Sequence, residues 1–360
     1  MSWYHVSAMP VDSNAGFHPI LAQAATEQAS DIHLMAGQPP IFRLHGKLKR
    51  IDTMPVYTAE TLLAHLDQVL SKELQARFRA ERELDTSLVL GTGERFRVNA
   101  LWEKGNPAVA LRFIPAVIPT LDDLLAPEAA YDFVNMNYGL VCVTGPTGAG
   151  KSTLLAAMIQ EINNTRKEHI VTLEDPIEFL YQSNQSIIAQ REMGSDFLSF
   201  PAGLKHVLRQ DPNIVLVGEM RDLETIQATI TLAETGHLVF TTLHTNSAPE
   251  TIDRIVDSFP AGQQAQIRLQ LALVLKGIIS QILLPRTDDT RIAAHEVLVN
   301  NVAIGNLIRE SKTNQIQNVL YSSPGEHMNT LDQELRWLVS EGFITAETAK
   351  AHARNPNTFE

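Results

Sequence analysis

The chain has 360 residues, 44% of them apolar and 19% charged, which suits a globular protein of two or three domains, each with its own core. Its net charge of −12 argues against nucleic acid as the main partner, because proteins that wrap nucleic acid carry a basic excess, although a local basic patch fits inside an acidic total. The single cysteine, Cys142, excludes an internal disulfide and a cysteine-built zinc site and suits a reducing cytosol.

Residues 1–14 read as a loose tail, and the start of the chain lacks the basic stretch and apolar run of a signal peptide. Residues 15–113 read as a first domain. "FHPILAQAATEQA" has helical spacing. "SDIHLMA" and "PPIFRLHGKLKRI" alternate as strands do, with a turn at His45-Gly46. "TAETLLAHLDQVL" opens with Thr58, a good N-cap, and Glu60. "ELDTSLVLGTGERFRVNALWEKGNPAVALRFIP" reads as three strands broken at glycines. This is an α+β pattern, mostly antiparallel. Residues 114–128, with Pro115, Pro119 and Pro127, read as a hinge or linker.

From 129 to 300 the pattern changes. "GLVCVTG", "HIVTLED", "NIVLVGE" and "GHLVFTTLH" are continuous apolar runs separated by helical stretches, the signature of a parallel sheet in an α/β domain. The most apolar long stretch, Leu269 to Pro285, contains Gln270, Lys276 and Gln281 and is short for a membrane span, so the expectation is a buried helix. Residues 301–360 read as a helical C-terminal region.

"VTGPTGAGKST" carries the most specific chemistry. Gly145, Gly150, Lys151 and Ser152 fit G-x-x-x-x-G-K-[ST], between an apolar strand and a helical "KSTLLAAMIQEIN". Glycines let backbone N–H groups turn inward around phosphate oxygens, and the helix N-terminus adds positive potential. The expected phosphate cradle is Gly145, Pro146, Thr147, Gly148, Ala149, Gly150, Lys151, Ser152 and Thr153, with Lys151 reaching the β- and γ-phosphates of ATP and the Ser152 hydroxyl binding Mg²⁺.

Acids follow two of the apolar runs. Glu219 ends "NIVLVGE", and Glu174, Asp175 and Glu178 lie in "TLEDPIE". Carboxylates clustered at one sheet edge repel one another unless a metal ion and a water to activate justify them. Glu174 and Glu219 are candidate Mg²⁺ partners. Spacing does not say which acid polarises the water; Glu219 is the first candidate and Glu178 the second. His237 and His244 stand at the two ends of one strand, ~20 Å apart when extended, too far for a zinc pair. Either could sense a γ-phosphate or be a satisfied core or interface histidine.

The phosphate loop, "TLEDPIE", "VGEMRDLETI" and "AETGHLVFTTLHT", in this order, resemble the Walker A, Asp box, Walker B and His box of the secretion ATPase superfamily. The nearest likeness is to its retraction branch, the PilT-like ATPases of type IV pili. "ASDIHLMAGQPPIFRLHG" and "RFRVNA" resemble parts of that family's N-terminal domain, "TIDRIVDSFP" the segment after the His box, and "AIGNLIRE" its C-terminal signature, in which Gly305 replaces the usual arginine. The resemblance implies a PAS-like N-terminal domain, a RecA-like ATPase core and a homohexameric ring. It also implies a place at the cytoplasmic face of the inner membrane, against the pilus platform protein, and arginines of the N-terminal domain that approach the nucleotide phosphates. Arg97 and Arg112 are those candidates, with Arg95 a third. An arginine from another element or subunit can stabilise phosphoryl transfer.

Pilus-assembly, type II secretion and conjugation ATPases are the alternative within the superfamily. The assembly and type II members commonly carry a four-cysteine zinc module, which one cysteine cannot build. A RecA-like nucleic-acid translocase and a non-catalytic scaffold are the readings from other classes. The acidic balance weighs against the first, the joint presence of lysine, acids and histidines against the second.

Overall fold

The computed structural model describes residues 16–27, 29–44, 46–89, 95–114, 117–288 and 290–359. The tail 1–14, His45 and Pro115 lie outside them. Two compact units divide at Val117/Ile118.

The N-terminal unit runs α1 (His18–Thr26), β1 (Asp31–Met35), β2 (Ile41–Leu44), β3 (Lys47–Arg50), α2 (Ala59–Val69), α3 (Lys72–Glu81), β4 (Glu83–Val89), β5 (Arg95–Glu103) and β6 (Asn106–Ile114). The strands form an antiparallel sheet of order β3-β2-β1-β6-β5-β4. Alternation sets its two faces. Ile32, Leu34, Phe42, Phe96, Val98 and Leu111 join Phe17, Leu21, Leu62, Leu66 and Phe78 of the helical side in one core. Thr58 caps α2 as its sequence predicts, its hydroxyl accepting the Thr61 N–H at 3.2 Å. Ser71 caps α3 in the same way; the sequence reading does not contain that helix.

The second unit runs α4 (Glu128–Val134), β7 (Gly139–Thr144), α5 (Lys151–Thr165), β8 (His169–Glu174), β9 (Ile187–Glu192), α6 (Phe200–Val207), β10 (Ile214–Val217), α7 (Leu223–Glu234), β11 (Leu238–Leu243), α8 (Ala248–Asp257), α9 (Ala261–Val274), β12 (Leu275–Pro285) and β13 (Arg291–Val299). The helices α10 (Val302–Arg309), α11 (Ile316–Ser322), α12 (Leu331–Ser340) and α13 (Ala346–His352) follow. The sheet order is β13-β12-β7-β11-β10-β8-β9, parallel except for the β12–β13 pair. Every side chain of β7, β10 and β11 is buried. Val141, Val143, Ile170, Leu216 and Phe240 face α4 and α5, while Leu140, Cys142, Val171, Val217 and Val239 face α6 to α9. Helices therefore cover both faces, as continuous apolar strands require. Leu121, C-terminal to the unit division, is buried with the α4–α5 side.

One expectation is corrected. Leu269–Pro285 is not a single helix: α9 ends at Val274 and β12 begins at Leu275. A continuous apolar run does not distinguish helix from buried strand by periodicity. Pairing with β7 and β13 makes the second half a strand, and Gly277 lets it pack closely, because a Cβ there would stand 2.0 Å from Phe133 Cζ. β9, β13 and their pairings add to what the sequence reading names.

Candidate functional site

The loop 145–150 leaves the end of β7 and turns into α5. Gly145, Gly148 and Gly150 all have positive φ (142°, 80° and 85°), a backbone that glycine adopts without strain. Gly150 is the N-cap of α5, so the first N–H groups of that helix open toward the loop. Lys151 is buried and folds back over the loop, its Nζ donating to the carbonyls of Gly145 (2.7 Å) and Pro146 (3.0 Å). Burial pulls its ammonium below the ordinary lysine value, opposed by the charges of Glu219 and Glu178. The two acids favoured on sequence grounds are thus the ones that Lys151 feels.

Glu219 follows β10 but is not on the strand next to the loop strand. β11 lies between β7 and β10. All three run parallel, so their C-terminal ends share one edge, where open α/β sheets bind ligands. The backbone that presents Glu219 is pinned from both sides. The Gly218 N–H donates to the Leu173 carbonyl (2.8 Å), Thr242 Oγ1 to the Gly218 carbonyl (2.6 Å) and the Met220 N–H to the Thr242 carbonyl (3.2 Å). The Glu219 carboxylate is mostly covered, with Arg221 Nε at 2.5 Å and His244 Nε2 at 3.6 Å. His244 immediately follows β11 and is half exposed. Lys151, Glu219 and His244 thus gather at one sheet edge.

His237 does not join them. It precedes β11 at the opposite edge, where its Nδ1 faces the Leu232 carbonyl (3.0 Å) and Thr235 Oγ1 (3.1 Å) in the turn after α7. Parallel register makes the correction: Leu238 pairs with Gly139 and Leu243 with Thr144, so only the later histidine reaches the loop end. Glu178 is exposed beyond β8. Glu174 is buried and engaged: it accepts hydrogen bonds from Thr172 Oγ1 (2.6 Å), Gln190 Nε2 (3.2 Å) and the Glu178 backbone. Burial pushes its carboxyl up to about 7, and those hydrogen bonds only partly oppose the rise. A carboxylate so occupied organises the turn between β8 and β9. The metal role expected of Glu174 does not fit this arrangement.

Arg97 and Arg112 lie in the N-terminal unit as directly opposed residues of β5 and β6, hence on the same face. That face is the one turned away from the helices. Arg112 Nε bonds Asp31 Oδ1 at 2.8 Å, and Arg43 approaches Asp31 Oδ2 at 3.5 Å. Burial pushes the Asp31 carboxyl up, but the bonds from Arg112 and Ser30 and the charges of Arg112 and Arg43 outweigh it and hold it below its usual value. Arg95 begins β5 two residues before Arg97.

Residues outside the sequence reading complete the loop's seat. Ser280 and Gln281 of β12 lie against it. Ser280 Oγ shares a buried hydrogen bond with Thr144 Oγ1 (2.7 Å), and Gln281 Nε2 donates to the Ala149 carbonyl (2.5 Å). A Cβ at Gly145 would stand 2.1 Å from the Gln281 carbonyl oxygen. The sequence signal was two polar residues within an apolar run, which is informative once that run is known to be a strand beside β7.

A backbone cradle of this kind, opening a helix at the sheet edge to which a lysine, an acid and a histidine are also brought, is built for a triphosphate, and the unit is a P-loop ATPase. Residues 10–341 match the family of type II/IV secretion system proteins, and the chain belongs to that family as a PilT-type ATPase. The chain is 43% identical over 340 residues to the type IV pilus retraction ATPase PilT of Pseudomonas aeruginosa, covering 94% of this chain and 98% of that protein. It is 46% identical over 321 residues to a twitching motility protein of Neisseria gonorrhoeae, covering 89% and 86%. The crystal structure of the pilus retraction motor PilT with bound ADP superposes with a TM-score of 0.88 at 42% identity, over 96% of this chain and 99% of that one.

Proposed function

We propose that this ATPase is the motor of type IV pilus retraction, turning over MgATP in a homohexameric ring at the cytoplasmic face of the inner membrane, against the pilus platform protein. The observation that carries the chemical part is the meeting of Lys151, Glu219 and His244 at one sheet edge beside the phosphate loop. The retraction part is supported by the near full-length likeness to the two relatives named for retraction and twitching. Among the described residues no helix is long and apolar enough to cross a membrane, so membrane attachment in this reading runs through the platform protein.

The donors fit Mg²⁺. It is a hard cation that keeps several waters and needs only one or two protein oxygens beside the substrate phosphates. Ser152 on the first turn of α5 and the Glu219 carboxylate supply these. Bound there, the ion neutralises charge on the transferring phosphoryl group. Lys151 swings from the loop carbonyls onto the β- and γ-phosphates. Glu219 orients and polarises the attacking water, with Glu178 as the second candidate, and His244 faces the γ-phosphate. Arg97 and Arg112 supply charge to a neighbouring subunit's site.

Two measurements test this reading. Glu219→Gln keeps ATP binding and loses turnover; wild-type turnover in that variant moves the role to Glu178. Rings mixed from a Lys151→Ala protein, inactive alone, and an Arg97→Ala protein, slowed alone, regain part of the activity, because some interfaces carry both intact halves. No recovery with subunit exchange demonstrated contradicts action in trans.

A further inference from the structure

A buried charge outside the phosphate site ties distant elements of the ATPase unit together. Glu296 stands on β13, is 1% exposed and pairs across the sheet with Ser280, whose hydroxyl bonds Thr144 where the phosphate loop begins. Its Oε1 accepts the N–H of Ala248, the first residue of α8, at 2.8 Å. Its Oε2 accepts Gln317 Nε2 of α11 at 3.1 Å and Arg354 Nη2 of the C-terminal tail at 2.7 Å. Three elements distant in sequence therefore converge on one carboxylate. Arg354 is itself held, because its N–H and that of Asn355 donate to the Asp332 carboxylate of α12 at 2.8 and 3.0 Å.

The other end of this connection is the His244 loop. Three residues separate His244 from Ala248, and they are not slack. Thr245 and Thr251 share a buried hydroxyl bond of 2.7 Å, Thr251 Oγ1 donates to the Ser247 carbonyl at 2.7 Å, and the Asn246 N–H donates to Glu250 Oε2 at 2.9 Å. A shift of the first turn of α8 is thus carried back to His244 instead of being absorbed. Removing Arg354 leaves a buried carboxylate without its cation, a state that forces local rearrangement.

We infer that Glu296 and Arg354 are a positioning pair for ATP hydrolysis: through the Glu296 carboxylate, the C-terminal tail seats the first turn of α8 and so holds His244 toward the phosphate site. The inference rests on the reading of His244 as a γ-phosphate-facing residue, and its test separates the two.

The full-length protein carries Arg354→Gln, Arg354→Lys, His244→Ala, or His244→Ala with Arg354→Gln. Steady-state ATP hydrolysis and amide hydrogen exchange are measured on each. Arg354→Gln lowers kcat by roughly tenfold, the scale on which outer partners of a functional group act, while KM stays within about twofold. Amide exchange accelerates across residues 245–251 and is unchanged across 145–152. Arg354→Lys recovers part of the rate. The double variant is no slower than His244→Ala alone, because both changes act through one group. Asp332→Ala, which frees the tail without touching the buried carboxylate, carries the same expectation should Arg354→Gln not fold. A wild-type kcat for Arg354→Gln, whatever its melting temperature, overturns the pair, as does a loss that adds fully to that of His244→Ala. A wild-type kcat for His244→Ala overturns the His244 reading and, with it, the proposed route.

Discussion

The substitution Gly145→Ala isolates the geometry of the phosphate loop. At φ 142° an alanine is strained by about 1–3 kcal/mol before any contact is considered. Its Cβ would stand 2.1 Å from the carbonyl oxygen of Gln281, so that 3.0 − 2.1, or about 1 Å, of movement is needed merely to reach the tightest separation real Cβ atoms show. The oxygen cannot retreat easily, because Gln281 is paired to His295 of β13 and the residue before it, Ser280, to Thr144 of β7. The loop must move instead. A displacement of 1 Å in a positioning element costs on the order of a hundredfold in rate. Overpacking adds about 1–3 kcal/mol of destabilisation to the strain. Gly148→Ala is the control for stability alone: its φ is 80°, but no atom of the chain lies within 4 Å of the added carbon, so only the strain bears on folding. The assays are phosphate release at saturating ATP and urea unfolding of both variants beside the parent. Gly145→Ala is expected to lose about a hundredfold in turnover and roughly 2–6 kcal/mol in stability; the stability loss of Gly148→Ala is only about 1–3 kcal/mol. Equal stability losses in the two variants, or a Gly145→Ala enzyme with parental turnover, would show that the Gln281 carbonyl does not constrain the loop.

Three further outcomes follow from titrating and surface groups. Glu174 has its folded carboxyl raised from 4.5 to about 7, so between those values the folded protein holds a proton that the unfolded chain releases, and stability falls as pH rises through that window. Glu174→Gln removes this dependence; its unfolding free energy gains on the parent by at most about 3 kcal/mol from pH 5 to pH 7.5, and parallel pH profiles contradict the assignment. His327 is raised above its ordinary value by the hydrogen bond to Asp132 (2.7 Å), which outweighs its desolvation, with the charges of Asp132 and Glu128 adding. Its contribution is present at low pH and lost as pH rises through the folded value, so His327→Gln lowers the melting temperature at about pH 6 and hardly at about pH 9. Arg309 and Glu310 are exposed at the end of α10, and replacing both by alanine is expected to leave folding and ATPase activity intact while abolishing pilus retraction in cells; full retraction leaves that helix as packing alone.

The legible parts of this chain are those whose signal is local. The phosphate loop is local because its glycines do their work through their own backbone conformation, and Thr58 is local because a cap bonds three residues ahead. The helical reading of the C-terminal region is local too, and in α10 Ile304 and Ile308 are buried on a face that runs through Gly305, packed near the Ala272 carbonyl. What the sequence could not supply was long-range. Gln281 meets the phosphate loop across 132 positions, and its role depends on β12 lying beside β7. His237 and His244 looked equivalent as the two ends of one strand, and only the parallel register separates them. Glu174 resembled a metal ligand because composition reveals carboxylates but not the donors that occupy them. The boundary inside Leu269–Pro285 was hidden because helix and strand bury the same apolar residues there.

In the proposed function, hydrolysis at the Lys151–Glu219 site drives retraction. Its most direct test is to follow fluorescently labelled pili in cells that lack the chromosomal copy and carry the wild-type chain, Lys151→Ala or Glu219→Gln at matched levels. Retraction is expected with the wild type, and pili that extend but do not shorten with either variant. Pili that shorten at the wild-type rate in cells whose only copy is shown in vitro to hydrolyse no ATP would contradict that function.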